Sequence, residues 1–297
     1  MTDAPQIRPP TELSIVTTSK CNLDCSFCGG AYYMDTKDVG REIQREALFE
    51  QLEKYPTLQG MNWTGGEPLM ATRKIEPLLA EVKARYPHLT HELYTNGLKM
   101  RLEHLPMLQQ FNRICVSFDG YKKSERPLWR VVEDGAFEAF EVMAALNNVH
   151  TWAVVTREQL ADKYWHTDLL DLHRALHHYG FKDMTLLLDN RMKKPLNQDL
   201  VMNFMFGYNK MEDQIERLNV MNNGSTGFSI SKFFEQSCNA CSGLVRLDSD
   251  ASIGYTMDVE MEIDSGCNML AKVIGQEAYR YINRTIHARK HRNEVIK

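Results

Sequence analysis

Seven cysteines stand in three groups along the 297 residues: Cys21, Cys25 and Cys28 together, Cys115 alone, and Cys238, Cys241 and Cys267 toward the C-terminus. An odd number of thiols in a chain without a secretory signal argues against a disulfide framework and for metal or redox chemistry. The first group, Cys21-Asn-Leu-Asp-Cys25-Ser-Phe-Cys28, places three thiols within eight residues. Iron–sulfur clusters are held by thiolates, and three ligands to a four-iron cluster leave one iron open to a substrate or cofactor. A zinc knot would need a fourth ligand and favours paired Cys-x2-Cys spacings, whereas the intervals here are three and then two. Cys238-Asn-Ala-Cys241 with Cys267 suits an iron–sulfur cluster, or zinc completed by a nearby Asp, Glu or His. It does not fit a thioredoxin-type dithiol, because the pair is not at a strand-to-helix junction. Cys115 lies inside an apolar run and reads as a packing residue.

Three further segments carry small and polar residues suited to a ligand: Thr64-Gly65-Gly66-Glu67-Pro68, Tyr94-Thr95-Asn96-Gly97 and Val116-Ser117-Phe118-Asp119-Gly120. Glycine lets the backbone approach a ligand closely, and a carboxylate accepts hydrogen bonds from an ammonium group. Each segment alone is also an ordinary turn, since Gly-Gly, Asn-Gly and Asp-Gly are common turn formers.

The elements that would position these residues alternate strand and helix. Strands are expected at Leu13–Thr17, Gly60–Thr64, His91–Thr95, Arg113–Phe118, Val149–Thr156 and Met184–Asp189. Helices are expected at Gln44–Tyr55, around Ile75–Val82, over Leu98–Phe111, around Phe137–Met143 and over Leu169–His178. Such alternation implies a parallel sheet with right-handed helical crossovers. Six units are too few for a full eight-unit barrel, which leaves an incomplete barrel or an open doubly wound sheet, and both put chemistry at the C-terminal ends of the strands. After Asp189 the pattern changes: Lys193-Lys194-Pro195 breaks the chain, an amphipathic stretch runs over Gln198–Leu218, and Asn222-Asn223-Gly224-Ser225 is turn-rich. A second, smaller unit is expected from residue 191, with Leu244–Asp250 as a strand and turn and Ile253–Met257 as a return strand, a hairpin that would bring Cys267 back toward Cys238 and Cys241.

Composition excludes several classes. Hydrophobic residues make up 43% and charged residues 25%, ordinary for a globular chain and unlike disorder or a membrane bundle. No apolar run approaches the ~20 residues of a spanning helix, and the N-terminus has no signal pattern, so the cytoplasm is the expected compartment. A net charge of -4 gives no bulk attraction to nucleic acid. The basic tail from Arg280 to Arg292 reads as a solvated helix end.

Taken in order, the Cys-x3-Cys-x2-Cys loop with Phe27 before its last thiol, the Gly-Gly-Glu segment, Thr95-Asn96-Gly97 and Ser117-Phe118-Asp119-Gly120 resemble the radical S-adenosylmethionine (radical SAM) superfamily. The resemblance implies an α/β fold, a partial (β/α)6 TIM-like barrel over residues 1–190, and a small C-terminal α+β domain over 191–297 that looks like a SPASM/twitch auxiliary-cluster module. It implies a SAM-binding 4Fe-4S cluster on Cys21, Cys25 and Cys28, and SAM bound by Phe27, Gly65, Gly66, Glu67, Thr95 and Ser117, with Glu67 and the diglycine receiving the amino group. It further implies a second 4Fe-4S cluster on Cys238, Cys241 and Cys267.

The activity implied is reductive cleavage of SAM to a 5′-deoxyadenosyl radical that abstracts hydrogen from a small-molecule, nucleotide or amino-acid substrate, with a flavodoxin or ferredoxin as reductant. Substrate contacts are expected from Asp189 and Arg191 after the sixth strand, with Arg130 and Arg157 as further candidates by position. A peptide-modifying maturase is the alternative within the class, although the roughly ten residues before the first strand leave no room for a leader-recognition domain. A non-catalytic iron–sulfur or zinc protein is the alternative outside it.

Overall fold

A computed structural model describes residues 10–28, 42–181, 183–188, 197–221, 227–228, 244–247 and 253–255. Asp189, Arg191, Cys238, Cys241 and Cys267 lie outside the described residues, as does the basic tail.

The sheet begins with six parallel strands in sequence order: β1 (Glu12–Val16), β2 (Gly60–Thr64), β3 (Thr90–Thr95), β4 (Arg113–Ser117), β5 (Val149–Val155) and β6 (Asp183–Leu188). Between them run α1 (Arg45–Lys54), α2 (Thr72–Arg85), α3 (Leu105–Leu108), α4 (Arg130–Glu133), α5 (Glu138–Ala145), α6 (Arg157–Ala161) and α7 (Trp165–His178). Sequential order with right-handed crossovers carries every helix to the same face of the sheet. The alternation of side chains agrees. Leu13, Ile15, Met61, Trp63, Leu93, Ile114, Val116 and Ala153 are fully buried with Leu48, Ile75, Leu79 and Val142 of the helices. The intervening Ser14, Asn62, Glu92, Tyr94, Ser117 and Trp152 are half-buried on the opposite face. Cys115 is fully buried, as its packing role requires.

The helix expected over Leu98–Phe111 is replaced by a 3-10 turn at Leu102–His104 and the single turn of α3. Gly97 takes φ +79 and Arg101 is extended, so the chain spends four residues turning before any helix starts. Pro106 then sits in the first turn of α3, a position that tolerates proline because no amide donor is needed there.

Beyond residue 190, α8 (Gln198–Met221) packs on α6 and α7 through Phe204, Tyr208, Met211 and Ile215, spaced on one helix face. Gly207 of α8 permits this approach, since a Cβ there would stand 2.5 Å from Nε1 of Trp165. Three further strands extend the sheet: β7 (Gly227–Phe228) beside β6, β8 (Leu244–Leu247) parallel to β1, and β9 (Ile253–Tyr255) antiparallel to β8. The order is β7-β6-β5-β4-β3-β2-β1-β8-β9, an open sheet with β1 in its interior. Among the described residues no helix is long and apolar enough to cross a membrane.

Candidate functional site

The C-terminal ends of β1 and β2 are fused by main-chain contacts. Thr17 donates from its amide (2.8 Å) and from its hydroxyl (2.9 Å) to the carbonyl of Thr64. The amide of Gly66 donates to the carbonyl of Thr18 at 2.8 Å, and that of Glu67 to the carbonyl of Lys20 at 2.7 Å. The diglycine is required by this closeness: a Cβ at Gly66 would lie 2.1 Å from the Lys20 carbonyl oxygen, and one at Gly65, where φ is +145, 2.6 Å from that of Thr18.

Glu67 faces inward and is fully buried. Its Oε1 accepts from the Thr95 hydroxyl at 2.6 Å and the Leu69 amide at 3.0 Å, and its Oε2 accepts from the Asn96 amide at 2.7 Å. Burial pushes the carboxyl above the usual range, and these donors pull it back. The carboxylate thus ties the turn after β2 to the end of β3.

The cysteine loop leaves β1 at this junction. Cys21, Cys25 and Cys28 are thiols rather than disulfides, each half-buried. Cys21 Sγ accepts from the Leu23 amide at 3.4 Å, and the Cys28 amide donates to the Cys25 carbonyl at 3.0 Å. Among the described residues no group of three His, Cys, Asp or Glu side chains is gathered closely enough to hold a metal ion. In chemistry and accessibility, however, three soft thiol donors on one loop fit an iron–sulfur cluster, whose iron draws its thiolates together. Burial pushes the Cys25 thiol up to about 11, with Arg126 as the largest opposing influence. Deprotonation there therefore couples to binding of a cation.

Contacts from other strands strap the loop down. Asn96 Nδ2 donates to Asn22 Oδ1 at 2.8 Å. Glu125, in the loop after β4, accepts from the Ser26 amide at 2.5 Å and from the Ser26 hydroxyl. Next to it, the guanidinium of Arg126 lies over the Phe27 ring, 4.8 Å from its centroid. Arg126 is itself forked onto Asp119, with Nε to Oδ2 at 2.6 Å and Nη2 to Oδ1 at 2.7 Å. Asp119 is 1% exposed and also accepts from the Val154 amide at 2.7 Å.

Phe27, Gly65 and Gly66 therefore stand at the cysteine loop, whereas Glu67 and Thr95 spend their side chains on each other behind it. Thr95 lies opposite Val116 in the β3–β4 register, so it shares the helix-covered face, while Ser117 shares the other face with Trp152. Arg130 pairs with Asp134 at the surface, 3.3 Å away. Arg157 starts α6 behind the Thr156–Gln159 capping box. Arg126, Glu125 and Asn96 are the site residues that sequence reasoning passed over. Asn96 is visible as part of a motif, but nothing local marks Glu125 and Arg126, whose contacts are to residues far away in the chain.

Residues 15–191 match the radical SAM superfamily model, and the chain belongs to that superfamily. Among curated proteins, it is 28% identical over 78 residues to "Putative protein YfkA" of Bacillus subtilis (strain 168), covering 26% of this chain and 20% of that one. It is 31% identical over 94 residues to the GTP 3',8-cyclase of Mycobacterium sp. (strain KMS), covering 31% of this chain and 27% of that one. These matches span about a quarter of the relatives' length or less.

Among solved structures, native anSMEcpe with bound AdoMet is similar at a TM-score of 0.60 and 16% identity, over 90% of this chain and 82% of that one. Streptococcus suis SuiB bound to S-adenosylmethionine is similar at a TM-score of 0.58 and 12% identity, over 86% of this chain and 62% of that one. At these identities the likeness concerns the fold.

Proposed function

We propose that the chain is a radical SAM enzyme whose resident cofactors are a 4Fe-4S cluster and SAM. The observation that carries the reading is the cysteine loop: three half-buried thiols, close in sequence, on a loop fixed at the C-terminal ends of β1 to β4 by hydrogen bonds to Asn96, Glu125 and the turn after β2. Cys21, Cys25 and Cys28 would hold the cluster. The Gly65-Gly66 main chain, Phe27 and Ser117 would face SAM, and Glu67 and Thr95 would shape its site from behind. When bound, these cofactors supply reductive sulfonium cleavage to a 5′-deoxyadenosyl radical able to abstract hydrogen from a substrate. The protein's part is to hold that chemistry at one end of the sheet and away from bulk water.

The fuller reading adds a second cluster on Cys238, Cys241 and Cys267, substrate contacts from Asp189 and Arg191, a C-terminal unit from residue 191, and electrons from a flavodoxin or ferredoxin. The substrate class is a small molecule, nucleotide or amino-acid moiety. A match to the GTP 3',8-cyclase at 31% identity supports the nucleotide member of that set.

The deciding experiment is anaerobic reconstitution with iron and sulfide, reduction with dithionite and incubation with SAM. Formation of 5′-deoxyadenosine supports the reading, and its absence from protein that carries a reducible cluster overturns it. Iron and sulfide counts on the Cys21→Ala/Cys25→Ala/Cys28→Ala protein address the second site. About four irons per chain is the expected result, and retained zinc without iron removes the auxiliary cluster.

A further inference from the structure

Arg126 has no role in the reading above, yet its guanidinium lies over the ring of Phe27, the residue between Cys25 and Cys28, 4.8 Å from the ring centroid. Its side chain is 17% exposed and its guanidinium is fixed from several sides. Asp119 takes both arms of the fork, and the ring of Phe27, between Cys25 and Cys28, lies under its plane. Asp119 is in turn held by the Val154 amide, and its carbonyl accepts from Gln159 Nε2 at 3.1 Å. The loop carrying Arg126 is pinned at its start by Asp168 of α7, which accepts from the amides of Lys122 (2.9 Å) and Lys123 (3.1 Å). The cation can thus neither swing to solvent nor leave the cysteine loop without breaking buried bonds. A flexible surface arginine neutralising an aspartate would need none of this.

We propose that Arg126 is the positioning residue of the cysteine loop, holding a fixed positive charge against the thiolate ligands of Cys25 and Cys28 and so raising the reduction potential of an iron–sulfur cluster bound there. The proposal rests on the functional reading above. Reduction adds one negative charge to a cluster already surrounded by thiolates. A fixed cation in a poorly screened site therefore stabilises the reduced form more than the oxidised one. The Asp119 carboxylate opposes this bias, but the contact with Phe27 of the cysteine loop is made by the guanidinium. Arginine suits the task because its charge persists at every physiological pH and its planar fork accepts both a carboxylate and an aromatic face.

The test is a redox titration of the reconstituted protein without SAM or substrate, followed by electron paramagnetic resonance, on wild type, Arg126→Gln and Arg126→Lys, with iron counted in each. The expected result for Arg126→Gln is a reduction equilibrium at least tenfold less favourable, about 59 mV lower for one electron. Arg126→Lys keeps the charge and is expected to stay within threefold of wild type. An unchanged midpoint in Arg126→Gln, or equal shifts in both variants, overturns the proposal. If Arg126→Gln does not hold a cluster, Arg126→Lys decides: a wild-type midpoint supports the role of charge, and loss of its cluster too overturns it in favour of shape. A wild-type chain that binds no cluster overturns the functional reading instead.

Discussion

The hydroxyl of Thr95 donates to Oε1 of Glu67 at 2.6 Å, and both residues are shut off from solvent. Because Glu67 N also donates to the Lys20 carbonyl, one residue joins the end of β3, the turn after β2 and the first residues of the cysteine loop. The acid in the Gly-Gly-Glu segment therefore acts as a strut in this chain.

Replacing that strut tests it. In Glu67→Gln an amide group must confront at least one of three donors, Thr95 Oγ1, Leu69 N or Asn96 N, with a donor of its own. The expected loss is about 2–3 kcal/mol in urea unfolding, against about 1–2 kcal/mol for Thr95→Val. A Glu67→Gln protein as stable as wild type would show that the carboxylate bears no structural load.

Gly66→Ala should be far costlier than Gly135→Ala. At Gly66 the new Cβ meets main chain at 2.1 Å, while at Gly135, with φ +63, nothing lies within 4 Å and only backbone strain is added. Thermal unfolding should report a loss above about 2 kcal/mol for the first and about 1 kcal/mol for the second. Iron retained after reconstitution should fall only in the first, because the clash displaces Lys20 and the thiol loop after it.

Asp119→Asn would leave Arg126 charged, buried and half-paired. A broken buried pair of this kind costs about 3–5 kcal/mol, measurable as a lower urea midpoint. An Asp119→Asn protein of wild-type stability would mean that Arg126 relaxes to solvent.

Acid should destabilise the fold through His91. The ring is fully buried, its Nδ1 accepts from Trp63 Nε1 at 3.2 Å, and burial lowers its pKa from 6.5 to about 4. The unfolded chain takes up the proton first, so this contribution is complete above pH 6.5, declines as pH falls, and levels off below pH 4. After allowance for screening it amounts to about 1–2 kcal/mol. His173 is lowered to about 4 as well, so His91→Gln should remove only part of the decline between pH 6.5 and 4. A variant whose stability falls as steeply as wild type would exclude His91 as a source.

The strands from β1 to β6 are readable because each is a short stretch carrying apolar residues and closed by a turn signal, and Gly60–Thr64 is located to the residue. The cysteine loop is readable because its three thiols are close in sequence. Other features depend on distant residues. Ser26 and Glu125 are 99 positions apart, and Asn22 and Asn96 are 74 apart, so no local window contains either strap. The inward direction of Glu67 depends on Thr95 sharing its face, which follows from the β3–β4 register. The stretch Leu98–Phe111 has adequate apolar spacing for a helix but is overruled by a left-handed glycine and an extended arginine.

The pairing of β1 has a consequence for how the protein is made. Glu12 lies opposite Gly60 on one side and Leu244 on the other. During synthesis β2 reaches β1 early, but β8 emerges on the order of tens of seconds later at ordinary elongation rates. Until then the strand that leads into the cysteine loop is an unprotected sheet edge, open to pairing with other chains. The edge of β1 beside the cysteine loop thus stays open longer than its β2 side, and slow translation of the segment before β8 would prolong that exposure.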